Sequence, residues 1–483
     1  MRTTAAWALG AVLACGRLAP GEPSPGPPPP PPPQGPPVQV WLTTPTASKL
    51  LSREVDVRLD SSTPPTNLTT IAIDETTTYQ EIVGFGAAIT DASAWLIQNR
   101  LTAGQREALL QELFGRSPGI GLSFTRLTMG ASDFSLHQYS FDDMPAGQTD
   151  SALAHFSIDS NRAYVLPVVQ RALAINPQLK VMATPWSPPG WMKTTGSLIQ
   201  GTLRPEAYGP LAEYFRRYIE AYAAEGVPIF AITVQNEPHY EPSNYPGMRL
   251  EPAARARFVG GYLGPLLAQH GIGTIVLDWD HNWDEYQSPL QVLADSVAPR
   301  YIAGVAWHCY GGDVSAQTVV HDAHPEKDAY FTECSGGEWA PNFADNLKWF
   351  VGTLMIGATR GWAKGVILWN LALDENHGPH TGGCGDCRGV VTVSSTSGAV
   401  TRNVEYYALA HASRFARTGA HRIASTSDVD RVETVAFKNA DDGSKVLLAI
   451  NTAALPRTLG VRWAGMWFRY TLAPGEVATF VWS

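Results

Sequence analysis

Between residues 81 and 370 the chain alternates short apolar runs with longer amphipathic stretches, and it does so eight times. Short strands separated by helical segments are the pattern of βα units with a parallel sheet. The predicted strands are Glu81–Ala87, Ser123–Thr128, Lys180–Thr184, Phe230–Gln235, Thr274–Asp278, Ala303–His308, Ala329–Glu333 and Gly365–Asn370. The clearest intervening helix, Pro210 to Ala224, sets Leu211, Tyr214, Phe215, Tyr218 and Tyr222 at helical spacing. Eight such units predict a closed (β/α)8 TIM barrel over residues 81–413, an α/β fold. No GxGxxG follows the first strand, which argues against a dinucleotide-binding sheet.

A barrel of this kind takes about 250 residues, so a chain of 483 has room for a second module. From residue 414 to 483 the texture changes to short alternating strands: Arg431–Lys438, Lys445–Asn451, Pro456–Trp463, Trp467–Leu472 and Val477–Trp482. This predicts an all-β sandwich. Val38–Thr43 and Val55–Leu59 alternate in the same way, so residues 38–80 are expected to join it and make that module discontinuous. Residues 16–37 form a Pro- and Gly-rich linker, including Pro27 to Pro33, which favours extended polyproline geometry.

Residues 1–15 carry Met1-Arg2, an apolar run from Ala5 to Ala14, and Cys15. The run is shorter than the roughly 20 residues that span a bilayer, and it has the layout of a signal peptide. Val12-Leu13-Ala14-Cys15 resembles a bacterial lipobox, which predicts an exported, cell-surface or outer-membrane lipoprotein anchored through Cys15, or otherwise a secreted protein. The net charge is −9 with no long basic run, which excludes nucleic acid as a partner. Cys384 and Cys387, in a Gly-rich stretch near His377 and His380, are expected to form a local disulfide rather than a zinc site. Cys309 and Cys334 follow the sixth and seventh strands, paired or free. No catalytic metal or cofactor is expected.

The chemistry is predicted at the strand ends, which converge on one face of a TIM barrel. Asp91, Asp133, Trp186, Asn236-Glu237, Asp278, Asn282, His308, Tyr310, Glu333 and Trp369-Asn370 all stand at or just after predicted strands. Cleaving a glycosidic bond with retention needs a proton donor and an attacking carboxylate about 5–5.5 Å apart. Glu237, in Gln235-Asn236-Glu237-Pro238, ends the fourth strand, and Glu333, in Phe331-Thr332-Glu333-Cys334, ends the seventh, so they should face each other across the barrel mouth. Shared burial should raise the pKa of one glutamate and keep it protonated as the acid. Asn236 would reach the sugar 2-hydroxyl.

Several longer segments resemble glycoside hydrolase family 30, the family that includes the lysosomal glucosylceramidase. They are Gly84-Phe85-Gly86-Ala87-Ala88-Ile89-Thr90-Asp91, Met129-Gly130-Ala131-Ser132-Asp133-Phe134-Ser135, Thr184-Pro185-Trp186-Ser187-Pro188-Pro189-Gly190-Trp191, Gln235-Asn236-Glu237-Pro238, His308-Cys309-Tyr310 and Trp369-Asn370-Leu371-Ala372-Leu373. The resemblance implies a barrel with an attached β-sandwich, retention of configuration and no cofactor. It places the acid/base at Glu237 and the nucleophile at Glu333. Asp91, Trp186, Asn236 and Trp369 would line a glucose subsite, with His308 and Tyr310 orienting groups near the nucleophile. The expected activity is a glucosylceramidase-like β-glucosidase, acting on a β-glucoside, β-glucan or glycolipid. Leu277 to Trp283 and Gly382 to Val393 look closer to bacterial members, which brings in an endo-β-1,6-glucanase or a β-xylosidase as the alternative. A non-catalytic carbohydrate-binding lipoprotein is the reading from another class, and it would be expected to have lost a glutamate.

Overall fold

A computed structural model of the protein describes residues 35–483. The signal-like segment, Cys15 and most of the Pro-rich linker lie outside the described residues. No helix among the described residues is long and apolar enough to cross a membrane.

All eight barrel strands form: β1 (Gly84–Ala87), β2 (Phe124–Thr128), β3 (Lys180–Thr184), β4 (Ile229–Thr233), β5 (Ile275–Asn282), β6 (Ile302–His308), β7 (Asp328–Glu333) and β8 (Ala363–Leu368). They pair in parallel in the order β1-β8-β7-β6-β5-β4-β3-β2. Between β1 and β2 the ring closes through single bonds. The Ser123 N–H donates to the Phe85 carbonyl at 3.0 Å, and the Ile89 N–H to the Arg126 carbonyl at 3.0 Å.

The barrel interior is layered, and the layering positions the site. Its lower part is an apolar plug that includes Phe124, Met182, Ala231, Leu277, Ala306, Tyr330 and Ile367. Two residues further along, the strand period returns the chain to the same face, and there stand Arg126, Thr184, Thr233, His308 and Thr332, all buried and polar. Strand β5 departs from the period. Trp279 and Asp280 have φ of +78° and +59°, and the β5–β6 register slips beside them. This bulge turns Trp279 into the outer core and gives its interior place to Asp280. Asp278 therefore lies within β5 rather than after it, and it bonds Arg255 Nε of the helix Pro252–Phe258 at 2.8 Å.

Strand β4 stops at Thr233, short of the expected Gln235, because the backbone beyond it bonds elsewhere. The Asn236 N–H donates to the Pro185 carbonyl at 2.8 Å and the Glu237 N–H to the Asp280 carbonyl at 3.0 Å. The second module is one ten-stranded sheet folded around its own apolar core. Its strand Thr69–Glu81, 13 residues long, pairs with His421–Ser425 and Arg457–Trp463. The segment Val55–Leu59 contributes only Val57–Arg58. Because Thr69–Glu81 runs to Glu81, the first barrel strand begins at Gly84 rather than Glu81. The helix Val404–Ser413 joins the two modules through buried His411, which meets Thr479 Oγ1 at 2.9 Å and Thr43 Oγ1 at 2.8 Å. Burial pushes His411 down to about 3, so it is a neutral connector.

Candidate active site

At the C-terminal ends of the barrel strands lies a cavity of about 450 Å³, lined by Asp133, Trp186, Asn236, Glu237, Tyr310, Glu333 and Trp369, among others. The polar layer of the barrel forms its floor. Arg126, a lone charge in an otherwise uncharged strand, is wholly buried and organises that floor. Its Nη1 donates to Glu333 Oε2, and its Nη2 donates at 2.7 Å to both Asn236 Oδ1 and Asp280 Oδ2. Burial opposes its charge, but Asp280 and Glu333 outweigh that and stabilise the guanidinium. Asp280 also accepts from Thr233 Oγ1 and Thr332 Oγ1, each at 2.6 Å. Burial alone would raise Asp280; Arg126 and His308 instead hold it well below the usual carboxylate range.

Glu333 is the last residue of β7 and is buried. Arg126 fixes its Oε2, and the Tyr310 hydroxyl donates to its Oε1 at 3.0 Å. Glu237 sits four residues beyond β4 in the left-handed region, φ +45°, a conformation held by its backbone bond to Asp280. Buried His308 stands between the two glutamates. Its Nδ1 is 3.1 Å from Glu237 Oε1 and 4.0 Å from Glu333 Oε1, so those two oxygens are at most 7.1 Å apart. Its Nε2 lies 3.0 Å from Asp280 Oδ1.

The electrostatics differ from the expectation of a raised glutamate. Burial favours the neutral form of Glu237, but hydrogen bonds and charge from His281 and His308 prevail and push its pKa down. His308 moves the other way. Burial disfavours its charge, yet Glu333, Asp280 and Glu237 together raise it to about 9. Glu237 is thus drawn towards its ionised form and His308 towards its charged form across one 3.1 Å contact. The carboxyl that crowding does raise is Asp133, pushed well above its ordinary value by burial and by the charges of Glu333 and Glu237.

Trp186 and Trp369 form one wall, stacked with centroids 5.0 Å apart and planes at 21°. Arg126 lies over both, 4.8 and 5.6 Å from their ring centres. Trp186, Asn236, Glu237, Tyr310, Glu333 and Trp369 therefore meet around one cavity, with His308 bonded to Glu237 at its floor. Asp91 is different. It opens the helix Asp91–Asn99, is fully buried, accepts from the Tyr139 hydroxyl at 3.2 Å, and does not line the cavity. Asp133, from the loop after β2, does line it.

Both remaining cysteine pairs are bonded, Cys309–Cys334 and Cys384–Cys387. The first ties the ends of β6 and β7 together beside Tyr310 and Glu333, and the second lines the cavity. Glu237, His281 and His308 offer ligand atoms within 4.8 Å of one another. The same arrangement serves a proton held between imidazole and carboxylate. Sequence reasoning did not select Arg126 or Asp280 as site residues, and it placed Asp133 at a strand end without giving it a role. A lone arginine within an uncharged strand was a readable signal for the first.

Residues 82–416 match the glycosyl hydrolase family 30 TIM-barrel domain, and residues 419–480 match the glycosyl hydrolase family 30 beta sandwich domain. The chain is 34% identical over 446 residues to an endo-1,6-beta-D-glucanase of Neurospora crassa, covering 87% of this chain and 91% of that protein. It is 30% identical over 440 residues to putative glucosylceramidase 4 of Caenorhabditis elegans, covering 85% of this chain and 81% of that protein. A solved endo-beta1,6-glucanase superposes with a TM-score of 0.84 at 32% identity, covering 92% of this chain and 99% of the other.

Proposed function

Given that this chain belongs to glycoside hydrolase family 30, we propose that it is a retaining glycosidase cleaving β-1,6-linked glucan, with Glu333 as nucleophile and Glu237 as acid/base. The observation that supports a two-carboxylate mechanism is the convergence of both glutamates on His308 Nδ1, which limits their facing oxygens to at most 7.1 Å apart and leaves retention to rest on the family. Retaining enzymes work with carboxyls about 5–5.5 Å apart, and inverting enzymes need about 6.5–9.5 Å. The linkage is supported by the 34% and 32% identities to endo-1,6-glucanases, against 30% to the putative nematode glucosylceramidase. This reverses the order suggested by sequence motifs alone, which put glucosylceramide first.

In the first step the ionised Glu333 attacks the anomeric carbon while the glycosidic oxygen departs with a proton from Glu237. Arg126 and Tyr310 hold the attacking carboxylate in place. The proton reaches Glu237 from His308 across their 3.1 Å contact, converting an ion pair into a neutral acid when substrate shuts out water. Once Glu333 is bound to the sugar its charge is gone, and with it the first of the groups that raise His308. Glu237 then accepts a proton from the water that cleaves the intermediate. Trp186 and Trp369 supply the apolar wall against the sugar ring, and Asp133 and Asn236 supply polar contacts to its hydroxyls. Export with lipid attachment at Cys15 belongs to the same reading and rests on the sequence of residues 1–15.

A substrate panel tests the linkage. Pustulan, a nitrophenyl β-glucoside and glucosylceramide are compared, and pustulan should be cut internally into oligosaccharides. Hydrolysis of glucosylceramide with pustulan untouched would overturn the glucanase assignment and restore the glucosylceramidase one.

A further inference from the structure

Among the described residues only four large aromatic side chains are exposed: Tyr240, Tyr310, Trp339 and Trp349. Single exposed aromatics are ordinary on a protein surface, but these are not scattered. Tyr240, Tyr310 and Trp339 line the catalytic cavity. A second cavity of about 510 Å³ shares Tyr310 and Trp339 with the first and reaches Trp349. A third, of about 840 Å³, shares Asp345 and Trp349 with the second and ends on Ser427, Asp428 and Glu433 of the β-sandwich. Each of these cavities shares lining residues with the next, so the three adjoin one another from the Glu333 end to the sandwich.

The buried end of the catalytic cavity is closed by Trp186 and Trp369, each only 3% exposed, whereas the mouth carries Trp339 at 56%. A chain longer than the sugar in the pocket leaves by the mouth, and the cavity that adjoins the mouth at Tyr310 and Trp339 reaches Trp349. The helix Phe343–Trp349 continues directly into the π-helical stretch Phe350–Ala358, a feature frequent at functional sites. On the first turn of that stretch Gly352 faces the sandwich, and a Cβ there would lie 2.8 Å from Glu433 Oε2. The glycine thus lets a sandwich carboxylate approach these cavities. Flat aromatic faces for sugar rings, with Asp345, Asp428 and Glu433 to accept from hydroxyls and Lys348 to donate, match a polysaccharide.

We propose that this row of cavities is a distal binding track for the β-glucan chain, running from the catalytic cavity over Trp339 and Trp349 to the β-sandwich at Asp428 and Glu433. The inference rests on the polysaccharide reading above, and it gives the second module a share in substrate binding.

The test measures kcat/KM on gentio-oligosaccharides of increasing length and on a nitrophenyl β-glucoside. The full chain is compared with its Trp349→Ala, Trp349→Phe and Glu433→Ala variants. The parent should gain kcat/KM as the substrate lengthens. Trp349→Ala should lower the long-chain value about tenfold more than the glucoside value, while Trp349→Phe, which keeps a stacking face and the packing on Phe350, should restore most of the gain. Glu433→Ala should show the same length-dependent loss on a smaller scale. If Trp349→Ala folds as the parent does and keeps the full gain with length, the track is overturned. The same holds if Trp349→Ala fails to fold and Glu433→Ala keeps the gain. A parent that cuts the nitrophenyl glucoside but no gentio-oligosaccharide would instead overturn the linkage reading, and the track with it.

Discussion

Arg126→Lys separates the two things the guanidinium does, because a lysine can imitate only one of them. The Asn236 and Asp280 oxygens both converge on Nη2, at 2.7 Å each, while Glu333 is reached only through Nη1. An ammonium has its three donors on one atom, so the site of two converging acceptors is where it belongs. Glu333 is then left without its charged partner. Losing one hydrogen bond to a buried charged group costs about 1.5–3 kcal/mol, and a nucleophile displaced by about 1 Å can cost roughly 10²-fold in rate. The expected result is a folded variant about 2–3 kcal/mol less stable in urea, with kcat/KM on a nitrophenyl β-glucoside down about 100-fold. Stability within about 1 kcal/mol of the parent and a rate within a few-fold would refute the claim that Arg126 holds the attacking carboxylate.

Other outcomes follow from the same geometry. Glu237→Gln should lower kcat on pustulan by about 10²–10⁴-fold, with a smaller loss on a nitrophenyl glucoside, whose leaving group needs less protonation; equal losses on both would argue against an acid at this position. His308 is raised from 6.5 to about 9, so the stability it contributes is complete below about pH 6.5 and is lost as pH rises through about 9. Urea denaturation and pH–rate profiles should both show this alkaline limb, and Asp280→Asn should move it to lower pH. Replacing Cys309 and Cys334 by serine opens a link of sequence separation 25, expected to cost about 3 kcal/mol, and should also slow turnover because the link adjoins Tyr310 and Glu333.

Much of this was legible in the residues. The eight barrel strands could be placed from apolar runs, and Glu237 and Glu333 from the switch to polar residues at the ends of two of them. What escaped depends on features without a local signature. Asp278 and Asp280 have the same parity on β5, and only the bulge at Trp279 and Asp280 sends one outward to Arg255 and the other inward to Arg126. The strand Thr69–Glu81 is rich in Thr and acidic residues rather than apolar ones, so alternation in the sequence did not mark it. Asp91 and Asp133 both follow barrel strands, but Asp91 is the buried first residue of a helix, bonded to the Tyr139 hydroxyl, whereas Asp133 sits in a loop at the cavity wall. The direction of the Glu237 shift depended on His281 and His308, brought beside it from β5 and β6.

The central claim is that Glu333 forms a covalent bond to the sugar while Glu237 handles the proton. Incubation with a 2-deoxy-2-fluoro-β-glucoside bearing a good leaving group, followed by digestion and mass mapping, reads this directly. The account predicts one label per chain, on the peptide carrying Glu333 and absent from Glu333→Gln. A label on Glu237 or Asp133, or turnover that releases the inverted anomer with no adduct, would contradict it.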